Sequence, residues 1–147
     1  MNYKIEKANI KDLDELFNMQ ENLEHLLISY NSLKEDLNSN SKVYFIAKNE
    51  NDSAIGFIGI SLLVDHIDID YILVKDGFKR KYVASSLLEY AIEYCKHENI
   101  TDIFLEVRES NNPAIRLYEK YNFKNNSVRK NYYPDNNENA LIYKLEK

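Results

Sequence analysis

The sequence predicts a mixed α/β fold, in which a β-sheet carries helices on its faces. Along the 147 residues, segments in which apolar and polar residues alternate, as in strands, are interspersed with segments whose apolar residues have helical spacing. A strand, a loop, a helix and a strand follow one another over residues 66–108, which predicts a right-handed crossover and a parallel pair of strands. The predicted order is β-α-α-β-β-β-α-β-α-β-β, within a single domain covering residues 1–147.

The first half of the chain is expected to hold a strand, two helices and three further strands. Tyr3–Ala8 alternates as a short strand, and Asn9 can cap the amphipathic helix that follows. Leu23–Leu37 has the spacing of a second helical stretch, with an interruption at Asn31 and Ser32. Alternation and a turn at residues 50–53 then predict the strands Lys42–Lys48, Ala54–Val64 and His66–Val74.

The second half is expected to hold two helices and three strands. After a basic loop, apolar residues from Val83 to Cys95 recur on one side of a long helix. A shorter helix follows. Asn112 can cap it, Pro113 is suited to its first position, and Asn122 can end it by adopting a left-handed conformation. The predicted strands are Asp102–Arg108, Phe123–Tyr132 and Asn139–Leu145.

Composition indicates a globular protein of the cytoplasm. Hydrophobic residues make up 44% and charged residues 29%, and there are only 3 Gly and 2 Pro, which excludes collagen-like and Pro-rich disordered classes. The apolar stretch Phe57–Val64 is too short to span a bilayer, and Met1–Leu16 lacks the apolar core of a signal peptide. Cys95 is the single cysteine, so we expect no internal disulfide, and because no Cys/His cluster has zinc-ligand spacing we expect no metal site.

Charge is distributed unevenly along the chain. The net charge of −5 argues against a nucleic-acid partner. Residues 1–70 carry 6 basic and 13 acidic side chains, whereas residues 71–147 carry 13 and 11. An acidic half beside a mildly basic one suits a cationic substrate together with an anionic cofactor.

Three places could carry chemistry. The turn Lys75–Ser85 leads from a strand into a helix, where free backbone N–H groups and basic side chains favour a phosphate group, although a solvated basic loop has the same composition. Glu106 is a carboxylate in an otherwise apolar strand, so it either faces water or has a function. Tyr118 lies on the apolar side of the short helix and could equally belong to the core.

Two segments resemble a known family. Ile72–Leu88, ILVKDGFKRKYVASSLL, is similar to the acetyl-CoA loop of the GNAT N-acetyltransferase superfamily, written (Q/R)-x-x-G-x-(G/A). Leu105–Phe123, LEVRESNNPAIRLYEKYNF, followed by VRKNYYP at Val128–Pro134, resembles the RimI type, which acetylates the terminal alanine of a small-subunit ribosomal protein. The resemblance covers residues 65–147, and residues 11–40 lack the Phe-Pro-Trp-Ser segment of that type.

The resemblance implies acetyl-CoA as co-substrate and no metal. The backbone of Ile72, Leu73 and Val74 would hold the pantetheine arm, and Asn111 would steady the cofactor near its reactive end. The pyrophosphate would be bound by the loop and the first turn of the long helix, which are Arg80, Lys81, Tyr82, Val83, Ala84 and Ser85.

The resemblance also implies catalytic roles. Glu106 would take a proton from the acceptor amine, directly or through a water molecule, and Tyr118, which also borders the cofactor, would protonate the departing thiolate. A backbone N–H near Leu73–Val74 would stabilise the oxyanion, and Cys95 is a poor candidate nucleophile. The alternative base is Asp68 or Asp70, which share a strand face with His66; that face is more typical of a solvated acidic surface than of a metal site.

The loop departs from the family pattern at one position. Tyr82 stands where the family has its first glycine, while Lys79 occupies the Gln/Arg position and Ala84 fits the second small position. If the glycine serves a positive φ, tyrosine costs about 1–2 kcal/mol; if it serves close approach, the Tyr82 Cβ crowds the pyrophosphate. Either way we expect weaker or displaced acetyl-CoA.

The expected function is transfer of acetyl from acetyl-CoA to the N-terminal α-amine of a protein, with a basic ribosomal protein tail as an acceptor that suits the acidic half of the chain. The alternatives are acetylation of a small-molecule amine and a non-catalytic acyl-CoA-binding domain. We expect no nucleic-acid or membrane partner, and a monomer or weak dimer. Tyr132 and Tyr133 would either border the acceptor site or form dimer contacts.

Overall fold

The computed structural model describes residues 2–79 and 82–146, and a seven-stranded sheet runs through them. Its strands are β1 (Tyr3–Lys7), β2 (Lys42–Asn49), β3 (Ala54–Leu62), β4 (Ile67–Val74), β5 (Ile103–Arg108), β6 (Phe123–Arg129) and β7 (Ala140–Leu145). Its helices are α1 (Leu13–Asn18), α2 (Tyr30–Leu37), α3 (Val83–His97) and α4 (Asn112–Lys120). The strands lie in the order β1-β2-β3-β4-β5-β7-β6, and the predicted mixed α/β fold is confirmed.

Strands β4 and β5 run parallel, as the crossover predicts, and then separate. Their register pairs Ile67 with Ile103 and ends at Ile69 opposite Leu105. Because β4 continues to Val74 and β5 to Arg108, the described parts of the two strands diverge toward their carboxyl ends. We call the gap beyond Ile69 and Leu105 the fork.

A β-bulge in β4 lies at the base of the fork. Tyr71 is opposite Gly59 and Ile69 is opposite Ile60, so Asp70 is the additional residue. A bulge reverses the alternation of the residues beyond it. Simple alternation along the predicted strand His66–Val74 would place Tyr71 on the same face as Ile67 and Ile69, and this is wrong, because Tyr71 packs on the other side of the sheet.

Each face of the sheet has its own core. The face covered by α3 and α4 buries the larger cluster, which includes Ile58, Leu87 and Leu105. The face covered by α1 and α2 buries a smaller cluster around Leu16 and Leu33. The crossover thus places α3 over β2, β3 and β4, directly beside the fork.

The helix ends follow local hydrogen bonding. Asn9 caps the first helical segment as predicted, since its Oδ1 accepts from the Lys11 N–H at 2.9 Å. The predicted interruption at Asn31 and Ser32 is wrong, because both residues lie within α2. The break comes earlier: the Ser29 hydroxyl accepts from the Ser32 N–H at 3.2 Å and thereby starts α2 at Tyr30.

At α4 the predicted cap is also displaced by one residue. Asn111, rather than Asn112, is the N-cap, because its Oδ1 accepts from the Ala114 N–H at 3.3 Å. Asn122 ends the helix at φ 71°, as predicted. Among the helices described, none is long and apolar enough to cross a membrane.

Candidate active site

A groove of about 820 Å³ opens beside the fork on the face that carries α3 and α4. We call it the α3–α4 groove. It is lined by most of the residues predicted to hold a cofactor, namely Ile72, Val74, Tyr82, Val83, Ala84, Ser85, Asn111 and Tyr118. The Leu73 side chain packs on the opposite face, and Arg80 and Lys81 lie outside the described residues.

The free edge of β4 borders this groove. The Lys75 N–H donates to the Ile55 oxygen at 2.8 Å, which sets the phase of the β3–β4 ladder. In an antiparallel pair alternate residues direct both backbone polar groups toward the partner, so Leu73 is engaged with β3. Ile72 and Val74 direct theirs toward the fork, where an extended ligand could add to the strand edge.

The amino end of α3 faces the same groove. Its first intrahelical hydrogen bond joins the Ser86 N–H to the Tyr82 oxygen at 2.9 Å. The N–H groups of Val83, Ala84 and Ser85 therefore come before the hydrogen-bonded part of the helix. Within the described residues, the Tyr82 side chain makes no cap hydrogen bond to them. These amides and the helix dipole provide partial positive charge for an anion.

Tyr82 adopts the left-handed conformation, with φ 65° and ψ 13°. The positive-φ alternative considered for the missing glycine therefore holds at this position. The Tyr82 side chain is 74% exposed, so little packing compensates for its backbone conformation.

Tyr118 lies at the inner side of the groove. It is 5% exposed, and its ring makes an edge contact with Phe123 at 6.0 Å between centroids. Burial raises the pKa of Tyr118 to about 12, so the phenol keeps its proton at neutral pH. Asn111, at the mouth of the same groove, is committed to capping α4 through its side-chain oxygen.

A second cavity of about 590 Å³ lies on the other side of the fork. We call it the carboxylate cavity. Glu106 lines it, because β5 alternates and directs Leu105 and Val107 into the core beneath α3 and α4. Further carboxylates around it are Asp65, Asp68, Asp70 and Asp102. The structure thus places Glu106 and Tyr118 in different cavities, separated by the fork.

Glu106 is accessible from its cavity. Its side chain is 35% exposed, and its carboxylate lies 3.5 Å from an Arg129 guanidinium nitrogen. Tyr133 lies close enough that the Glu106 charge adds to burial in raising the pKa of its phenol. The Arg108 guanidinium stacks over the Tyr133 ring at 3.9 Å, which holds this tyrosine near the cavity.

Asp70, the bulged residue, is held by two neighbours that the sequence analysis missed. The Ser61 hydroxyl donates to its carboxylate, and the Lys42 ammonium lies 3.8 Å away while donating to Ser61 at 2.6 Å. Burial raises the pKa of Asp70 despite these contacts. The contact between Lys42 and Ser61 could have been predicted from the sequence, because the hairpin turn at residues 50–53 places Lys42 opposite Ser61.

His66 lies between two aspartates at the rim. Its Nδ1 is 2.7 Å from Asp65 and its Nε2 is 3.4 Å from Asp68. The hydrogen bond to Asp65 raises the pKa of His66 and lowers that of Asp65. Residues 2–79 and 82–146 contain no cluster of three or more His, Cys, Asp or Glu side chains arranged to bind a metal.

Comparison with known proteins defines the class. The family model of the acetyltransferase (GNAT) family matches residues 10–123, which is more than half of the chain. The chain therefore belongs to the GNAT family, and it is an acetyl-CoA-dependent N-acetyltransferase.

Two relatives and one solved structure are similar to this chain over most of its length. An N-alpha-acetyltransferase of Saccharolobus solfataricus is 32% identical over 95% of this chain and 91% of its own length. A ribosomal protein bS18-alanine N-acetyltransferase of Haemophilus ducreyi is 32% identical over 74% of this chain and 77% of its own. The crystal structure of the Escherichia coli ribosomal-protein-S18-alanine N-acetyltransferase superposes with a TM-score of 0.90, at 24% identity, over 98% of this chain and 93% of that one.

Proposed function

We propose that this protein transfers the acetyl group of acetyl-CoA to the N-terminal α-amine of a protein, with Glu106 as general base and Tyr118 as general acid. The observation that carries the proposal is the fork, which is bordered by a proton donor in one cavity and a carboxylate in the other. The two relatives named as an N-alpha-acetyltransferase and a ribosomal protein bS18-alanine N-acetyltransferase support a protein α-amine as acceptor.

The residues of the α3–α4 groove fit acetyl-CoA. The amides that precede the helical ladder of α3 suit the pyrophosphate, and the outward backbone groups of Ile72 and Val74 suit the pantetheine amides. Lys79 would add positive charge, although Asp76 lies 3.3 Å from its ammonium. Acetyl-CoA supplies an acetyl group already activated as a thioester.

On the acceptor side, a proton must be removed. An α-amine has a pKa of roughly 8 and is largely protonated at neutral pH, so it needs a base before it becomes nucleophilic. Glu106 accepts that proton, directly or through water, from its position in the carboxylate cavity. On the other side, Tyr118 donates its phenol proton to the leaving sulfur, and the Val74 or Ile72 N–H stabilises developing charge on oxygen.

Glu106 is favoured over the two aspartates by its contacts. The Asp70 carboxylate accepts from Ser61 and pairs with Lys42, which leaves it less available for an incoming ammonium. Asp68 pairs with His66. Glu106 pairs at 3.5 Å with Arg129, whose side chain is itself 59% exposed and can move aside.

The acceptor that we favour is the amino terminus of a small-subunit ribosomal protein in the cytoplasm. Such tails are basic, and the carboxylate cavity presents acidic groups to them. Tyr133, held beside Glu106, would border this acceptor site.

Acceptor profiling tests the proposal. Purified protein with acetyl-CoA would be offered peptides with a free amino terminus, the same peptides with a blocked one, and a panel of polyamines and aminoglycosides. We expect acetylation of the free-terminus peptides alone. Preferential transfer to small amines would instead identify a small-molecule acetyltransferase, and binding of acetyl-CoA without transfer to any amine would identify a non-catalytic domain.

A further inference from the structure

Tyr82 occupies a backbone conformation that favours glycine, at the point where the α3–α4 groove meets the amino end of α3. Since its own side chain is largely exposed, the conformation must be held by contacts from elsewhere in the fold. The Tyr82 carbonyl identifies one such contact, because it accepts a bond from a residue 79 positions away.

That residue is Tyr3, on the edge strand β1. Its hydroxyl lies 3.3 Å from the Tyr82 oxygen and 2.6 Å from the Ser86 hydroxyl. The Tyr3 ring packs at the border of the core beneath α3, so the phenol reaches the start of the helix from below.

Proton counting gives the direction of the two bonds. A phenol carries a single proton, and a carbonyl can only accept. Tyr3 must therefore donate to the Tyr82 oxygen, and the Ser86 hydroxyl must donate to Tyr3. Because the Ser86 N–H also donates to the Tyr82 oxygen at 2.9 Å, this carbonyl accepts from two groups, and the Ser86 hydroxyl in turn holds one of them, the Tyr3 phenol.

We infer that Tyr3 is a positioning residue for the acetyl-CoA loop. Its phenol stabilises the left-handed conformation of Tyr82 and so aligns the amides of Val83, Ala84 and Ser85, a role that a glycine at position 82 would not require. The inference rests on the proposed site of acetyl-CoA in this groove.

The test is a double-mutant cycle between Tyr3→Phe and Tyr82→Gly, with calorimetric Kd values for acetyl-CoA. We expect Tyr3→Phe to weaken binding roughly 3- to 10-fold, the equivalent of one hydrogen bond. In the Tyr82→Gly background the same change should alter the Kd by less than about 2-fold. In steady-state kinetics the KM for acetyl-CoA should rise while the KM for the acceptor stays constant.

Tyr30→Phe is the matched control. It also removes a tyrosine hydroxyl, one that donates to Asp14 at 2.7 Å beneath the opposite face of the sheet, and it should leave the Kd for acetyl-CoA unchanged. An unchanged Kd in Tyr3→Phe, or an equal loss in both backgrounds, would overturn the inference.

Amide exchange followed by NMR separates this inference from the proposed function. In the free protein, Tyr3→Phe should accelerate exchange of the Ser86 N–H relative to amides in the middle of α3. If the unaltered protein bound no acetyl-CoA, the proposed function would fail, and the Ser86 exchange rate would still decide whether Tyr3 restrains the loop. An exchange rate unaffected by Tyr3→Phe would refute the restraint itself.

Discussion

Glu106 and Tyr118 lie on opposite faces of the sheet, one on each side of the fork between β4 and β5. A base and an acid placed in this way act on different partners. In the proposed mechanism Glu106 contacts the acceptor, whereas Tyr118 contacts the thioester end of acetyl-CoA. Changes at the two residues should therefore be separable, because each affects groups in a different cavity.

Glu106→Gln should lower kcat by roughly 10²-fold or more, because the amide cannot accept the ammonium proton. The Kd for acetyl-CoA should stay within about 2-fold, since Glu106 lies outside the α3–α4 groove. Glu109→Gln, an exposed neighbour whose carboxylate accepts from Asn139 at 3.2 Å, is the matched control. A larger loss of kcat in Asp70→Asn than in Glu106→Gln would transfer the base assignment to the bulged residue.

Tyr118→Phe should lower kcat by roughly 10- to 100-fold while the protein folds normally. The ring that packs against Phe123 is retained, so the free energy of unfolding should change by less than about 1 kcal/mol. Steady-state kinetics and urea unfolding give the two quantities. Turnover close to that of the unaltered enzyme would remove Tyr118 from the mechanism.

Tyr82→Gly should tighten acetyl-CoA binding by up to about 10-fold, because glycine adopts the observed φ of 65° without the cost that tyrosine bears. Calorimetry measures the affinity directly. Global stability is a poor substitute here, since glycine also raises the entropy of the unfolded chain. Unchanged or looser binding would contradict the account of this substitution.

Gln20→Leu should destabilise the protein by about 1–3 kcal/mol, measured by urea unfolding. Gln20 is 1% exposed, and its side-chain amide accepts from the Leu27 and Ile28 N–H groups and donates to the Ile28 oxygen at 3.1 Å. Leucine would leave those backbone groups buried without this partner. Asn2→Ala, which removes an exposed amide contact with Glu50, should change stability by less than about 0.5 kcal/mol.

The His66–Asp65 pair should make stability depend on pH. The pKa of His66 is raised from 6.5, so its contribution is complete below pH 6.5 and is lost as the pH rises through the folded value. The pKa of Asp65 is lowered from 3.8, so its contribution is complete above pH 3.8 and is lost as the pH falls through the folded value. The stability difference between the unaltered protein and His66→Gln should therefore be largest between these limits and decline above pH 6.5.

Much of the fold was predictable because its signals are local. Alternation indicated each strand, the Asn9 cap and the Asn122 stop were recognisable from residue type, and the crossover implied the parallel pair. The errors occurred where a neighbouring residue competed for a role, as with Asn111 over Asn112, or where the bulge at Asp70 moved Tyr71 to the other face.

By itself the sequence determined the order of the elements, the family resemblance and the residue types at the candidate site, because these depend on periodicity and on motifs close together in the chain. Tertiary structure decided which groups meet. The separation of Glu106 from Tyr118, the contacts of Ser61 and Lys42 with Asp70, and the bond from Tyr3 to the Tyr82 carbonyl all arise from strand register and from the fork. Strand register is set by the packing of both faces of the sheet at once. The sequence of a single segment therefore does not indicate which distant residue will lie opposite it.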